Sequence, residues 1–196
     1  MNVLAVVAHP DDELMAAGTL ARLVDAGHDV TVCICFDYEQ RADEAAIATK
    51  IIGANPLLVL SPDEDDYRLS IGTVTAADQL LNDVDLLITH RVTDTNQSHH
   101  ELARVMRAAC RRNDCSVWTM DQAMPGGLDP TAPRPNHYVD ISTQRHTKRR
   151  AVEAYASQTA RYPGWLEAIE ARDSLYGWQI GVEAAEGFII EKSLWL

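Results

Sequence analysis

Apolar and polar positions alternate along the chain in blocks that predict strands and helices in turn. Asn2–Ala8 is an almost continuous apolar run, typical of a strand buried on both faces, whereas Asp12–Ala26 carries its apolar residues at helical spacing. Further strands are predicted at His28–Phe36, Leu57–Leu60, Asp85–Thr89, Ser116–Met120, Tyr138–Ile141 and Glu186–Glu191. Further helices are predicted at Gln40–Ile52, Val74–Leu81, Gln97–Arg112, Gln144–Ser157 and Gly164–Tyr176.

This order of elements predicts an α/β protein. Because strands that alternate with helices form βαβ units, we expect a Rossmann-like three-layer fold with a mostly parallel sheet flanked by helices. The 196 residues suit a single domain spanning 1–196, since a division would leave two undersized cores. Ligands of such sheets bind at the carboxyl ends of strands, so functional side chains are expected after Ala8, Phe36 and Thr89.

The first of these positions carries a histidine and three acids, His9-Pro10-Asp11-Asp12-Glu13. Pro10 ends the strand and begins a turn, across which His9 and Asp12 can converge on one point. An imidazole nitrogen and a carboxylate oxygen suit Zn²⁺ or a similar divalent ion. Helix capping also explains acids at this place, because Asp is a preferred N-cap and acids complement the helix dipole. Capping does not explain why a histidine and three acids stand together.

A second polar cluster follows Thr89 and contains His90, His99 and His100. Either of the adjacent histidines, His99 or His100, could complete a His-Asp-His site. Catalytic zinc sites use three protein ligands, as this set would. For any one of these histidines alone, a surface or helix-capping role is the better explanation. Two such clusters at two strand ends make a metal site the stronger interpretation.

The charge of the chain narrows the class of partner. Asp and Glu number 29 against 17 Lys and Arg, a formal net charge of −12 that repels nucleic acids and anionic membranes. No apolar run approaches the roughly 20 residues that span a bilayer, and the N-terminus lacks the basic segment of a signal peptide. We therefore expect a cytoplasmic protein with a small-molecule substrate and with no nucleic-acid or membrane partner. The sequence leaves the oligomeric state open, a homo-oligomer included.

The four cysteines are not expected to hold a metal. Cys33, Cys35, Cys110 and Cys115 include no CxxC pair with zinc-finger spacing, so we interpret them as buried structural thiols. A metal ion in this chain must then be held by histidines and carboxylates.

Several motifs resemble those of one enzyme family. AHPDDE at the end of a first strand is similar to the hallmark of the PIG-L/LmbE-like family of zinc-dependent N-acetylglucosaminyl deacetylases. The resemblance covers nearly the whole chain. The other segments that resemble family motifs, in the expected order, are Arg41–Glu44, Asp94–His99, Pro135–Ile141, Lys148, Ser157–Gln158 and Glu186–Phe188.

This resemblance implies a role for individual residues. His9, Asp12 and His99 fall on the ligands of one zinc ion per chain, and Asp11 falls on the general base. Arg41 falls on an arginine that contacts the substrate. The implied reaction removes an N-acetyl group from an N-acetylglucosamine-type amino sugar or conjugate and releases acetate and a free amine. A His₂Asp site also accepts other divalent ions such as Fe²⁺.

Two positions depart from the family pattern. Asn96 stands where the family often has a histidine that could protonate the leaving amine, so we keep Asn96 as a substrate-binding candidate only. Ser98 replaces an Asp that can orient a neighbour, a change expected to cost ~10–100-fold in affinity or activity. The remaining candidate proton donors are protonated Asp11 and three histidines, His90, His100 and His137.

A Pro-rich segment before the sixth strand is predicted to form a wall of the substrate site. It runs over Met124–Asn136, and long loops of this kind are often functional. Met124, Arg134 and His137 are its candidate substrate-binding residues. An ordinary connection between elements is the alternative.

Two other functions are compatible with the predicted fold. A nucleotide-binding module would need a glycine-rich first turn, but this chain has HPDDE there, and its carboxylates would repel phosphate. A catalytically weak relative that acts as a metal- or sugar-binding protein is favoured by Asn96 and Ser98. Bound metal without turnover would distinguish it from an enzyme.

Overall fold

The computed structural model describes residues 1–37, 41–61, 68–121 and 133–194. A seven-stranded sheet has the order β3-β2-β1-β4-β5-β7-β6. Strands β1 to β5 pair in parallel, while β7 is antiparallel to both β5 and β6. The predicted α/β fold with a mostly parallel sheet is therefore confirmed. The strands are β1 Asn2–Val7, β2 Asp29–Phe36, β3 Asn55–Ser61, β4 Leu86–Thr89, β5 Ser116–Met120, β6 His137–Asp140 and β7 Ala185–Lys192.

Helices cover both faces of the sheet, because its central strands bury side chains on both sides. Val3, Ala5 and Val7 of β1 belong to a core shared with α1, α2, α5 and α7. Leu4 and Val6 point to the opposite face and belong to a second core shared with α3 and α4. All four cysteines are buried and free of disulfides. The helices are α1 Ala17–Asp25, α2 Ala42–Ile52, α3 Ile71–Leu80, α4 Gln97–Ala109, α5 Arg145–Ala154, α6 Ala156–Arg161 and α7 Trp165–Ile180.

The strand order reverses between β1 and β4. From β1 the chain continues to β2 and β3 on one side, and it returns to β4 and β5 on the other side. Such a reversal opens a crevice at the carboxyl ends of the two neighbouring strands, where ligands of this fold class bind. The HPDDE turn and the histidine-rich segment, His90 to His100, both begin at this crevice.

Two helices are divided where the sequence predicted continuous ones. Instead of one helix over Asp12–Ala26, a 3₁₀ segment at Asp12–Met15 precedes α1, and Ala16 between them has a non-helical φ of −121°. The predicted helix Gln144–Ser157 is interrupted at Tyr155, where α5 ends and α6 begins. The other boundaries differ from the predictions by a few residues, and Gln40, the predicted start of α2, lies outside the described residues.

A buried ion network joins α5, α7 and β7 to the first helix. Lys148 Nζ lies 2.7 Å from both Asp173 Oδ2 and Glu186 Oε1. The Glu186 carboxylate also accepts hydrogen bonds from the amides of Gly18 and Thr19 in the first turn of α1, at 2.9 and 2.7 Å. A carboxylate at this place satisfies amides that have no partner within the helix and complements its dipole. The C-terminal part of the chain therefore helps to fix the helix that follows the HPDDE turn.

Candidate metal centre

Three side chains converge beyond the carboxyl ends of β1 and β4. His9 Nδ1 lies 3.2 Å from His99 Nε2 and 3.4 Å from Asp12 Oδ2, and this oxygen lies 3.2 Å from His99 Nε2. All three residues are buried. Two ligands of a tetrahedral zinc ion, each bound at about 2.0–2.1 Å, are about 3.3–3.4 Å apart. The three atoms therefore have the mutual spacing that one such ion requires, and the residues fit a metal site.

The turn after β1 is fixed by its own hydrogen bonds. The His9 amide donates to Asp12 Oδ2 at 2.8 Å, and the Asp12 amide donates to the His9 carbonyl at 3.2 Å. Between them, Asp11 has a φ of +104°, which is uncommon for a residue with a Cβ atom. Strained backbone of this kind persists where surrounding contacts hold it, and it clusters at functional sites. His9 and Asp12 thus fix each other, with Asp11 held beside them.

Asp11 is paired with Arg41 in the interior. The Arg41 guanidinium donates a hydrogen bond to Asp11 Oδ2, and both side chains are nearly inaccessible to solvent. Arg41 itself is placed at the start of α2, where its amide donates to Asp37 Oδ1 at 2.7 Å. Burial, followed by the charge of Asp12, raises the pKa of Asp11 to about 7, although Arg41 acts in the opposite direction. Asp11 can therefore exchange a proton close to neutral pH.

His99 is oriented by a carboxylate that the sequence analysis did not identify. Its Nδ1 lies 3.0 Å from Asp94 Oδ2, while its Nε2 faces His9 and Asp12. A carboxylate on the outer nitrogen of a metal-binding histidine sets the ring orientation and its tautomer. Sequence comparison with the family pattern predicted that Ser98 removes such a carboxylate. In this fold Asp94 makes that contact from four residues upstream of Ser98.

The charges of the cluster favour a cation at its centre. Burial would raise the pKa of Asp12, but the neighbouring charges of His99 and His90 outweigh burial and lower it well below its usual value. Burial would likewise lower the pKa of His99, but Asp12 and Asp94 outweigh it and raise that pKa to about 10. Both shifts have the same cause, namely that negative charge on Asp12 and Asp94 favours a positive charge beside them.

His90 is buried against the ring of His99. It is 1% exposed, its ring stacks on that of His99 at 4.0 Å and 15°, and its Nε2 accepts the Ala8 amide at 2.9 Å. His90, Asp94 and His99 are also close enough to hold an ion. Two nearly parallel rings do not direct their in-plane lone pairs at one point, however, and one nitrogen of His90 is already occupied. The structure therefore favours the set of His9, Asp12 and His99. His90, stacked on His99 and bonded to the Ala8 amide, is the weaker candidate for a proton donor to substrate.

The other predicted substrate residues lie farther out. Asn96 is the N-cap of α4, exposed, with its side-chain oxygen accepting the Ser98 amide at 2.9 Å. His137 lies on β6, four strands from β1, which corresponds to roughly 19 Å at about 4.8 Å per strand. Its ring packs against Trp118 at 4.5 Å between centroids. The fold therefore does not bring His137 to the metal ligands, and contact of either residue with a substrate stays a prediction.

The predicted substrate wall is described only in part. Met124 and the rest of 122–132 lie outside the described residues, while the exposed Arg134 lies within them. The ends of this segment are held by Arg91, whose Nη1 donates to the Pro133 carbonyl at 3.1 Å and whose guanidinium pairs with Asp121. A substrate-binding role for this segment stays a prediction.

Comparison with known proteins identifies the family and the fold. A family model described as PIG-L, GlcNAc-PI de-N-acetylase, matches residues 4–110. This range is more than half of the chain and contains the HPDDE turn, Arg41, Asp94 and His99.

Solved structures with low sequence identity share the whole fold. The conserved protein TT1542 from Thermus thermophilus is 22% identical with a TM-score of 0.83, over 100% of this chain and 97% of that one. The 4-carboxy-2-hydroxymuconate hydratase GalB from Pseudomonas putida KT2440 is 18% identical with a TM-score of 0.80, over 100% and 98%. The N,N'-diacetylchitobiose deacetylase from Pyrococcus horikoshii is 18% identical with a TM-score of 0.74, over 97% and 84%.

Proposed function

This chain belongs to the PIG-L/LmbE-like deacetylase family, and on that basis we propose that it is a metal-dependent N-deacetylase. Its substrate class is an N-acetylglucosamine-type amino sugar or conjugate, and its products are acetate and a free amine. The observation that carries the proposal is the convergence of His9 Nδ1, Asp12 Oδ2 and His99 Nε2 within 3.2–3.4 Å of one another. Two of the comparisons support the same reaction. The family model is described as a de-N-acetylase, and one of the similar structures is a deacetylase.

The cofactor is one divalent ion per chain, held by His9, Asp12 and His99. Two histidines and a carboxylate suit Zn²⁺, and Fe²⁺ is the alternative ion for the same donors. When bound, such an ion polarises the acetyl carbonyl and makes water a better nucleophile at neutral pH.

Asp11 is the general base of the proposed reaction. It stands beside the three ligands without being one of them, and its carboxylate takes the proton from water as water attacks the carbonyl carbon. The Arg41 guanidinium donates to Oδ2 of that carboxylate and so fixes its orientation. Arg41 also carries the positive charge nearest to Asp11 and is our candidate for contact with the substrate.

Asp11 also returns the proton to the leaving amine. The C–N bond breaks as the nitrogen takes the proton that Asp11 received from water, so one carboxylate serves as base and then as acid. His90 is buried behind His99, and Asn96, at the family position of a histidine, has no proton to donate in this way. This leaves Asp11 as the proton donor that the described site offers directly beside the ligands.

The substrate is expected to be a water-soluble small molecule. The net charge of −12 disfavours a polyanionic partner, and none of the helices in the described parts of the chain has the length and apolar character to cross a bilayer. Asn96 and His137 remain candidates for contacts with the outer part of the sugar. A cytoplasmic location and a homo-oligomer remain predictions.

Hydration is a second candidate reaction. A hydratase matches the whole chain with a TM-score of 0.80, and a metal centre with an adjacent base can add water to a conjugated double bond as well as to an amide. A third candidate is a metal- or sugar-binding protein with little catalytic activity, since Asn96 departs from the family pattern.

Metal content and acetate release, measured together, test the proposal. The substrates are N-acetylglucosamine and a panel of its conjugates, with a 2-hydroxymuconate as the hydration substrate. The variants are wild type, Asp11→Asn and the matched control Asp83→Asn, an exposed aspartate that also has a positive φ. We expect about one metal per chain in all three and a loss of acetate release of at least about 100-fold in Asp11→Asn only. Acetate release that survives Asp11→Asn, or hydration in place of acetate release, would refute the deacetylase mechanism.

A further inference from the structure

The break between α5 and α6 contacts the HPDDE turn from the far end of the sequence. Tyr155 occupies this break and is fully buried, and its hydroxyl donates to Glu13 Oε1 at 2.6 Å. The helix ends here with Tyr155 at φ −86° and ψ +66°, outside the helical region. Because the helix is interrupted at Tyr155, this side chain points into the interior toward the HPDDE turn.

Glu13 connects Tyr155 to the backbone of Asp11. Its other oxygen, Oε2, accepts the Asp11 amide at 3.1 Å, and its side chain is fully buried. A buried carboxylate is costly unless its oxygens are hydrogen-bonded, and here the tyrosine and the amide satisfy one oxygen each. Asp11, whose amide makes this contact, has a φ of +104°. Glu13 and Tyr155 therefore help to hold the strained backbone of Asp11.

A second contact from the same break reaches Arg41's helix. Ser157 donates from its amide to Glu44 Oε1 at 2.9 Å and from its hydroxyl to the other carboxylate oxygen. Glu44 lies in the first turn of α2, and Arg41 is the residue that caps this helix. The α5–α6 break is therefore tied to the elements that carry both members of the Asp11–Arg41 pair.

We propose that Tyr155 and Ser157 are positioning residues that hold Asp11 and Arg41 in the geometry of the reaction, Tyr155 through Glu13 and Ser157 through Glu44. Their side chains donate hydrogen bonds to Glu13 and Glu44, which are not among the proposed metal ligands. The effect that these residues have on activity rests on the proposed function. Their effect on the backbone of the HPDDE turn does not.

Tyr155→Phe is the direct test, because it removes one hydroxyl and keeps the packed ring. We expect kcat to fall roughly 10- to 100-fold, as when a group that orients a catalytic residue is lost, with KM and metal affinity unchanged. In an Asp11→Asn background the same substitution is expected to cause no further fall. Tyr162→Phe, a nearby tyrosine packed on the same core, is the control and is expected to match wild type.

Amide hydrogen exchange in the metal-free protein gives a readout that does not depend on turnover. Tyr155→Phe is expected to speed exchange in peptides covering residues 9–16, and Ser157→Ala in peptides covering 41–48, by about 10-fold each. Ser157 is exposed, so its variant folds even if Tyr155→Phe does not, and it tests the second contact alone.

The outcomes separate the inference from the proposed function. A loss of activity with a parallel loss of metal affinity, or one that persists in Asp11→Asn, would make Tyr155 merely structural and overturn the inference. Unchanged exchange in both variants would overturn it as well. If the wild type shows no deacetylation, the proposed function fails, and the exchange measurement still decides whether the break holds the turn.

Discussion

His99 and His100 are adjacent in sequence, yet the fold gives them different surroundings. His99 is 1% exposed, between Asp94 on one nitrogen and the other ligands on the second nitrogen. His100 is the next residue of α4, so its side chain points about 100° away around the helix axis. From the residue types alone either histidine could complete the site. The resemblance to the family implied His99, and the position of α4 favours the same residue.

This difference predicts that His99→Ala weakens metal binding and that His100→Ala does not. Loss of a residue that hydrogen-bonds to a metal ligand weakens metal affinity about 10–100-fold. We expect a larger loss from His99→Ala, because this substitution removes a direct ligand. His100→Ala should bind metal as the wild type does. Competition with a chromophoric chelator measures both affinities, and equal losses in the two variants would contradict the assignment.

Asp94→Asn tests the carboxylate that orients His99. The amide keeps the size of the side chain but removes the charge, so His99 loses the partner that sets its tautomer. We predict that metal affinity falls about 10–100-fold while the fold is retained. The control is Asp114→Asn, which changes an exposed aspartate beyond the end of α4. An affinity that Asp94→Asn leaves unchanged would mean that the 3.0 Å contact has no part in metal binding.

At the level of helices and strands, the sequence predicted the order of elements better than their interruptions. Apolar runs and helical spacing are local signals, and they predicted the alternation and the crevice at the strand ends. The breaks at Ala16 and Tyr155 have no local signal, since neither proline nor glycine is present there. Tertiary contacts produce them, because the Glu13 side chain is hydrogen-bonded to Tyr155 across 142 positions.

The same reason explains which site residues the sequence revealed. His9, Asp11 and Asp12 lie in one compact motif, whose composition exceeds what helix capping needs. Asp94 and Tyr155 act through contacts whose existence depends on how α4 and α5 are placed. A resemblance to family motifs pointed to Ser98 as a lost carboxylate, but it could not show that Asp94 makes the contact with His99.

The approach of α7 to β7 depends on the absence of a side chain at Gly177. A Cβ atom there would lie 2.7 Å from the backbone nitrogen and Cα of Ala184, and backbone cannot rotate away. We predict that Gly177→Ala lowers the free energy of unfolding by about 1–3 kcal/mol, the usual cost of overpacking. Gly72→Ala in α3 is the matched control, because its Cβ meets open space apart from Ser70 Oγ at 3.8 Å. It should be neutral or stabilise by up to about 1 kcal/mol. Urea unfolding distinguishes the two, and equal stabilities would contradict the packing argument.

In the whole molecule, the proposed metal ligands and the residues that support them come from opposite ends of the chain. The ligands lie within the first hundred residues, inside the range of the family match. Tyr155, Lys148 and Glu186 lie beyond that range and reach back to the HPDDE turn and to α1. One continuous sheet joins the two parts. From this arrangement we predict that residues 1–196 fold as one unit.

The distribution of tryptophans makes this prediction testable. All four tryptophans lie at position 118 or later, at Trp118, Trp165, Trp178 and Trp195, so their fluorescence reports on the C-terminal part. The proposed metal ligands lie in the N-terminal part. If the chain is one domain, a ligand that binds only the folded N-terminal site must stabilise the tryptophan transition as well. Zn²⁺ at 100 times its dissociation constant should then add about 2.7 kcal/mol to the free energy of unfolding seen by fluorescence. His99→Ala should keep a single transition and lose this increment. A fluorescence transition that does not respond to metal, beside a circular-dichroism transition that does, would show that the two parts unfold separately and would refute the single domain over residues 1–196.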